Sequence, residues 1–291
     1  MTTRAVWGFE AIGTTWSIGT AEQLSHRVVA AVLARIELYD RAYSRFRDDS
    51  LVSRLAVTGG SMEFPDDAPA LFAIYARLAA LTGGAVTPLV GTNLVGLGYG
   101  ADYTLRPVAA PQAAPPFAQL RVEGRRVTLA EPALIDVGAA GKGQLVDLVA
   151  EVLSAEGVEG ATIDASGDIR HDGDQPLRVA LEHPYDAESA IGVVELAGAG
   201  RRAIAASATN RRAWGEGLHH VVDGRTGIPV QSVVATWALA GSALEADALA
   251  TALFFVPGSA IEQQFDADWV RMFTTGLVEH SAGLPGEVFT R

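Results

Sequence analysis

The stretch from residue 219 to residue 251 constrains the fold most, because it leads from a tight turn through a β-like segment into a helix with its own boundary signals. Ser242, followed three residues later by Glu245, forms a capping box, which predicts that a helix begins there. Pro257, followed by a glycine, predicts where that helix ends. The sequence therefore predicts a strand at residues 233–240 and a capped helix directly after it.

Asp247 and Thr251 are four residues apart on this helix and therefore share one face of it. Their neighbours are largely apolar, and a carboxylate is costly to bury without a partner. A hard cation with oxygen ligands is one candidate partner. The alternative is local, with the threonine bonded to its own helix and the aspartate accepting from a nearby amide. Spacing alone favours the local alternative, because D-x-x-x-T often occurs by chance.

The turn HHVVDGRTG combines histidine, an acid, an arginine and two glycines within a few residues. Asp223-Gly224 is a strong turn signal, and His220 stands shortly before it. Such a mixture is typical of a site for a phosphorylated ligand. A surface hairpin with solvated charges is an equally good interpretation of the turn taken alone.

A second glycine-rich turn, at residues 138–143, follows a predicted strand at residues 133–137 and precedes the apolar stripe of a predicted helix. A strand, a glycine-rich turn and a helix often place backbone N–H groups at a phosphate, and Lys142 adds a positive charge. The turn matches neither the Walker A nor the G-x-G-x-x-G pattern. A phosphate site and simple strand–helix packing are therefore equally good interpretations.

Strands and helices are mixed along the chain without strict alternation, which predicts the α+β class. The other predicted elements include a hairpin at residues 5–20, a helix at about 21–40, a helix capped near Asp48 or Asp49 and a helix at 66–82. They also include a hairpin at 120–129 and strands within 177–207, at 269–275 and at 287–290. Residues 85–100 are predicted to be an irregular glycine-rich loop. Residues 101–118, rich in Pro and Ala, are predicted to be a surface connection.

The composition excludes several classes of function. A net charge of −12 argues against a nucleic-acid-binding surface. The absence of cysteine excludes disulfides, thiolate catalysis and cysteine-ligated zinc. The beginning of the chain shows no apolar signal region, and no run is long and apolar enough to span a membrane. We therefore expect a cytoplasmic protein without membrane insertion.

Seven motifs resemble those of the ApbE-type FAD:protein FMN transferases, in the family's order and along nearly the whole chain: IGTTW, YSRFRDDSLVSRL, TPLVG, IDVGAAGKGQLVD, ASGDIR, HHVVDGRTGIPV and ADALATA. Each motif alone is weak, but the shared order and spacing are specific. The resemblance implies a T-fold-like α+β fold and a single domain over residues 1–291 that includes the connection at 101–118. It also implies that FMN moves from FAD, with Mg²⁺, to a Thr or Ser hydroxyl of an acceptor flavoprotein, with release of AMP.

The resemblance also assigns site residues. It implies that Mg²⁺ is held by Asp247, by Thr251 and by the carbonyl groups of Ala250 and Gly141, and that His220 is the catalytic base. The FAD contacts that it implies are Ile12, Phe46, Val86, Thr87, Gly138, Gln144 and Val221. Lys142, from the glycine-rich turn, is a further candidate for contact with FAD. The family usually has methionine, aspartate and proline where Ile12, Thr87 and Gly224 stand, and a Ser-Gly pair where this chain has Ser207-Ala208.

Two other functions stay open at this point. An FAD hydrolase would use the same site with water in place of the acceptor hydroxyl, releasing FMN and AMP. A flavin-binding protein without turnover is suggested by the departures at Ile12 and Thr87, although the intact metal and histidine motifs argue against it. The sequence does not separate transfer from hydrolysis, because the acceptor hydroxyl belongs to another protein.

Overall fold

The computed structural model describes residues 5–198 and 200–289 of the chain and confirms the α+β class. The α-helices are α1 (His26–Tyr43), α2 (Leu51–Thr58), α3 (Ala68–Leu81), α4 (Gly91–Gly96), α5 (Gly141–Ala155), α6 (Ala243–Ala252) and α7 (Gly258–Glu262). Within the described ranges, none of these helices combines the length and apolar character needed to cross a bilayer.

The strands include both predicted hairpins and the predicted strand at 233–240. They are β1 (Ala5–Ala11), β2 (Thr14–Thr20), β3 (Gly60–Glu63), β4 (Leu120–Glu123), β5 (Arg126–Leu129), β6 (Thr162–Asp164), β7 (Asp168–His171), β8 (Leu177–His183), β9 (Asp186–Leu196), β10 (Ala203–Ala208), β11 (Ala213–Trp214), β12 (Leu218–His219), β13 (Val233–Ala240), β14 (Asp268–Phe273), β15 (Val278–His280) and β16 (Gly286–Val288).

The chain divides into two compact units. Unit 1 is formed by residues 1–37, 142–208 and 232–291, and unit 2 by residues 38–141 and 209–231. The single domain that the resemblance implies over the whole chain stays a prediction.

Unit 1 is built on an eight-stranded antiparallel sheet with the order β1-β2-β6-β7-β10-β13-β14-β15. All residues of β13 are buried. Trp237 and Leu239 of this strand pack against Leu181 and Val194 from the three-stranded sheet β16-β9-β8, while α6 packs against β10 and β13. Because both faces of β13 are covered, its sequence is continuously apolar rather than alternating, with Thr236 as the one polar residue.

Unit 2 contains helices α2, α3 and α4 and the small antiparallel sheet β3-β5-β4. One of its apolar clusters combines Leu94 and Leu97, at the end of α4, with Tyr99, Trp214 and Val222. This cluster joins the two stretches of sequence that form the unit, and it lies next to the histidine pair described below.

Four predicted elements were wrong in detail. Residues 133–137 form no strand; the Asp136 N–H donates instead to the Pro88 carbonyl at 2.7 Å. The loop predicted at 85–100 contains α4 and a short 3-10 turn, Pro88–Val90. Helix α2 is capped by Ser50, whose hydroxyl accepts from the Ser53 N–H, and not by the aspartates before it. Helix α6 ends at Ala252, before the proline and glycine that begin α7.

Candidate active site

The structure assigns the predicted site residues to both units. Unit 1 contains Ile12, Lys142, Gln144, Asp247, Ala250 and Thr251, and unit 2 contains Phe46, Val86, Thr87, Gly138, Gly141, His220 and Val221. Within unit 1, the structure places Lys142 and Asp247 in one cluster around a buried carboxylate. Within unit 2, it places His220 close to charged and aromatic side chains that surround the buried Arg45 and Tyr99.

Helix α6 presents Asp247 in the way that its sequence predicts. Ser242 caps the helix, accepting from the Glu245 N–H at 3.2 Å. Asp247 is buried, and its Oδ2 accepts a hydrogen bond of 2.9 Å from the Gly143 N–H at the start of α5. The aspartate therefore accepts from an amide, as the local alternative supposed, but the amide comes from a different helix and the bond uses only one carboxylate oxygen.

A second carboxylate, Asp168, is fully buried beside Asp247. The ammonium of Lys142 is 2.8 Å from Asp168 Oδ1 and donates to the Ala165 carbonyl at 2.9 Å. Burial and the neighbouring Asp247 raise the pKa of Asp168 well above its usual range, and Lys142 opposes them only in part. Lys142 is the cation that the structure places against Asp168, while the Asp247 carboxylate disfavours ionisation of Asp168.

The early end of α6 leaves the Ala250 carbonyl without its usual helical partner. In a continuing helix the Phe254 N–H would donate to the Ala250 carbonyl, but here it donates to the backbone carbonyl of Thr251 at 3.3 Å. The Ala250 oxygen instead accepts from Thr236 Oγ1 of β13 at 2.6 Å. A carbonyl oxygen has two lone pairs, so this bond leaves one for another partner.

The donors on α6 fit a hard divalent cation such as Mg²⁺. Asp247 supplies a carboxylate, Thr251 a hydroxyl on the same helix face and Ala250 a carbonyl, all of them hard oxygen ligands. A dication held by Asp247 would also favour the ionised form of the neighbouring Asp168. No group of three or more His, Cys, Asp or Glu side chains in the described ranges could hold a metal; the set on α6 contains a single carboxylate and is of a different kind.

Gly143 allows α5 to approach α6 closely. A Cβ atom built on this glycine would lie 2.1 Å from the Ala243 carbonyl oxygen and 2.7 Å from Asp247 Cβ. We expect Gly143→Ala to lower the free energy of unfolding by about 1–3 kcal/mol, because overpacking outweighs the better helix propensity of alanine. Urea unfolding measures the loss. Gly8→Ala is the control, since its nearest new contact is 3.8 Å away, and an equal loss in both variants would contradict the packing argument.

The two adjacent histidines of unit 2 have different surroundings. His219 Nε2 is 2.7 Å from the Val230 carbonyl oxygen, and its Nδ1 is 3.3 Å from the Val221 N–H. A neutral ring that donates from Nε2 and accepts at Nδ1 satisfies both contacts, so His219 is a structural bridge. His220 Nδ1 is buried and has no hydrogen-bond partner among the residues that the structure describes. His220 is therefore the histidine with a nitrogen available for proton transfer.

We expect the His220 ring to titrate near pH 4. Burial, assisted by the positive charge of Arg212 and by His219, lowers the pKa of His220 to about 4. The unfolded chain binds this proton near pH 6.5, so the folded state loses stability as the pH falls from about 6.5 to about 4. NMR titration of the ring protons tests this, with His220→Gln to identify the signal. A midpoint near 6.5 would contradict the burial of the ring.

Arg45 organises the charged and aromatic groups near the histidines. Its Nε forms an ion pair with Asp136, and its Nη1 donates to the Tyr99 carbonyl at 2.7 Å. The guanidinium carbon is 4.1 Å from the centre of the Phe46 ring, and Arg212 Nη1 donates to the Tyr99 hydroxyl at 2.7 Å. Although burial opposes it, the guanidinium of Arg45 holds the pKa of Asp136 below its usual range. These contacts hold the charged and aromatic side chains of the cluster in fixed positions within unit 2.

Several expected FAD contacts already have roles inside unit 2. The Phe46 ring stacks on Tyr103, with 5.3 Å between ring centres and 14° between ring planes. The Thr87 hydroxyl caps the 3-10 turn that follows it, and the Gly138 N–H donates to Asp136 Oδ1 at 2.7 Å. These bonds fix the positions of the residues. Contact with FAD stays a prediction for each of them.

Thr87 and Gly224, which both differ from the family pattern, are neighbours in the structure. Thr87 and Gly224 line the same cavity of about 240 Å³, with the Pro/Ala-rich residues 113–117 on its wall. A Cβ atom at Gly224 would lie 2.6 Å from Thr87 Cγ2 and 2.8 Å from the Gly84 carbonyl oxygen. The two departures are therefore coupled, because the threonine occupies the space that a larger residue at position 224 would need.

Sequence reasoning missed three charged residues of these clusters. Asp168 stands in the ASGDIR motif, directly after a Ser-Gly turn, but nothing local shows that it is buried beside Asp247. Asp136 and Arg212 come from distant parts of the sequence and meet only through the fold of unit 2. The one available signal was the position of Asp168 and Asp136 within motifs of the ApbE resemblance.

Comparison with known proteins identifies a family. A model described as the ApbE family matches residues 12–268. The chain is 31% identical to the FAD:protein FMN transferase of Vibrio cholerae serotype O1, with 83% of this chain and 78% of that protein aligned. It is 28% identical to the FAD:protein FMN transferase of Klebsiella pneumoniae (strain 342), with 90% of this chain and 81% of that protein aligned.

Solved structures show the same fold. The ApbE protein from Thermotoga maritima superposes with a TM-score of 0.84 at 23% identity, over 96% of this chain and 97% of that one. The flavin transferase ApbE from Vibrio cholerae superposes with a TM-score of 0.80 at 25% identity, over 96% of each chain.

Proposed function

The chain belongs to the ApbE family, and on that premise we propose that it transfers FMN from FAD to a Thr or Ser hydroxyl of an acceptor flavoprotein and releases AMP. The relatives named FAD:protein FMN transferase align over most of their own length, so the similarity extends beyond a shared fragment. We propose FAD as the substrate and Mg²⁺ as the cofactor.

The observation that carries the proposal is the buried Nδ1 atom of His220, which has no hydrogen-bond partner among the residues that the structure describes. The low pKa of about 4 keeps this ring unprotonated near pH 7, which is the form that a general base must have, and it also makes the ring a weaker base than a free imidazole. An acceptor hydroxyl has a high pKa and becomes a better nucleophile when a nearby base removes its proton. His219 is committed to the Val230 carbonyl, which leaves His220 as the base.

The proposed reaction transfers the FMN group, through its phosphorus atom, from FAD to the acceptor hydroxyl. His220 removes the proton of the acceptor hydroxyl while its oxygen forms a bond to the FMN phosphorus. The bond from that phosphorus to the bridging oxygen breaks, and AMP leaves with the electron pair. Bound Mg²⁺ would neutralise charge on the phosphate oxygens, and Asp247, Thr251 and the Ala250 carbonyl would hold it. The carbonyl of Gly141 stays part of the proposed ligand set.

The proposal also includes the remaining FAD contacts and the location of the protein. The contacts are those that the resemblance implies, and Lys142 would act at FAD in addition to its bonds with Asp168 and Ala165. We keep the cytoplasmic location and the absence of a nucleic-acid partner as expectations. Cell fractionation tests the location.

Mass spectrometry of an acceptor protein tests the proposed function. A candidate flavoprotein is incubated with this chain, FAD and Mg²⁺, and its intact mass is measured. We expect a mass gain equal to one FMN, lost when the acceptor Thr or Ser is replaced by Val or Ala. Free FMN and AMP without labelling would identify a hydrolase. FAD binding without any product would identify a flavin-binding protein and overturn the proposal.

A further inference from the structure

The N-terminus of α6 is held by a carboxylate from another helix. The first four N–H groups of a helix have no partner within it. In α6, the Glu245 N–H donates to the Ser242 hydroxyl at 3.2 Å, and the Ala246 N–H makes the first regular helical bond, to the Ser242 carbonyl at 3.1 Å. The N–H groups of Ala243 and Leu244 donate to Asp147 Oδ1 and Oδ2, at 3.0 and 2.9 Å. The N–H groups of the first three helical residues are therefore satisfied by side chains, and Asp147 also places a negative charge at the positive end of the helix.

Asp147 lies on α5, four residues after Gly143 and on the same helix face. Gly143 donates its N–H to Asp247 Oδ2 at 2.9 Å, and its lack of a side chain lets the two helices touch at Ala243. Helix α5 therefore holds α6 at two points one turn apart. One point fixes the start of α6, and the other fixes the carboxylate that we propose as a metal ligand.

Arg170, on β7, holds Asp147 in place. Its Nη1 is 2.8 Å from Asp147 Oδ1, and its Nε is 2.9 Å from Asp172 Oδ2. Asp172 also accepts from Arg202 Nη1 at 3.3 Å. Both aspartates share the same arginine, but the described acceptors at the N-terminus of α6 include only Asp147 and Ser242. Asp172 thus provides a matched comparison for Asp147.

We propose that Asp147 is a positioning residue for the metal site: by holding the N-terminus of α6, it sets the position of Asp247 and Thr251. This inference rests on the proposed Mg²⁺ role of α6. Magnesium requires a near-octahedral arrangement with short metal–oxygen distances, so a small shift of the ligand helix weakens binding. Residues that orient metal ligands from outside typically contribute 10–100-fold to metal affinity.

Binding of Mn²⁺, observed by EPR in the full chain without FAD, tests this inference independently of turnover. The variants are Asp147→Asn, Asp147→Glu, Asp172→Asn and Asp247→Asn. Asparagine offers one acceptor oxygen where aspartate offers two, so we expect Asp147→Asn to raise the Mn²⁺ dissociation constant roughly 10–100-fold. Glutamate keeps the carboxylate and should bind more tightly than asparagine. Asp172→Asn should bind like the unchanged chain, and Asp247→Asn should lose the site.

Hydrogen exchange at the Ala243 and Leu244 amides gives a second readout on folded protein. We expect faster exchange of these amides in Asp147→Asn and not in Asp172→Asn. Wild-type Mn²⁺ affinity in Asp147→Asn, or an equal loss in Asp172→Asn, would overturn the inference. The absence of an Asp247-dependent Mn²⁺ site in the unchanged chain would also overturn it.

The outcomes for positioning and for function are separable. FMN transfer by the unchanged chain together with wild-type Mn²⁺ binding in Asp147→Asn would remove only the positioning role. Weakened Mn²⁺ binding in Asp147→Asn, with no transfer to any acceptor by the unchanged chain, would remove only the proposed reaction.

Discussion

His220→Ala is expected to lower the rate of FMN transfer by a factor on the order of 10²–10⁴, the usual contribution of a general base. The variant loses the ring whose buried Nδ1 has no partner in the described structure. FAD and Mg²⁺ should still bind, because the proposed ligands on α6 are unchanged. The experiment measures single-turnover transfer to an excess of acceptor protein, at saturating FAD and Mg²⁺.

His219→Ala is the matched control, because it removes the neighbouring imidazole. This ring bonds the Val230 carbonyl, so its loss should lower the free energy of unfolding by about 1–3 kcal/mol. Transfer per folded molecule should stay near the wild-type rate. An inactive His219→Ala beside an active His220→Ala would show that the roles of the two histidines are reversed.

Asp247→Asn is expected to reduce transfer on the order of 10³-fold and to remove its dependence on Mg²⁺ concentration. The estimate follows from the effect of removing one group that stabilises transition-state charge, here the anionic metal ligand. The amide oxygen of asparagine can still accept from the Gly143 N–H, so the contact between α5 and α6 is retained. A Mg²⁺ titration of initial transfer rates measures the change.

Glu245→Gln is the control for Asp247→Asn, because it neutralises another carboxylate of the same helix that belongs to no proposed ligand set. Its Mg²⁺ dependence should match that of the unchanged chain. If Asp247→Asn and the unchanged chain gave the same rates across the titration, the metal assignment to α6 would be wrong.

The elements that were predictable from the sequence are those determined by neighbouring residues. The capping box fixes the start of α6 through bonds within three residues, and the continuous apolar run of β13 identifies a strand covered on both faces. The predicted end of α6 was wrong because a contact outside the helix is involved: the Thr236 hydroxyl of β13 donates to the Ala250 carbonyl. No local pattern around Pro257 contains that information.

In the candidate site, too, the features set by neighbouring residues were predictable and those set by distant residues were not. The spacing of Asp247 and Thr251 was readable, because helical periodicity places them on one face. The burial of Asp168 beside Asp247 was not, because it depends on strand β7 lying close to α6. The double acceptor role of Asp147 was hidden for the same reason: its partners are almost a hundred residues later in the chain.

The order of strands in the large sheet of unit 1 has a consequence for how the protein reaches its native state. Strand β2 receives its second neighbour only when residues 17–19 pair with residues 162–164. The N-terminal hairpin, an element that isolated chains hold only marginally in water, must wait for that distant segment. Closing so long a loop costs entropy before its contacts can repay it, and topologies rich in such pairings fold slowly. A newly made chain therefore exposes the unpaired edge of β2 until β6 has been synthesised.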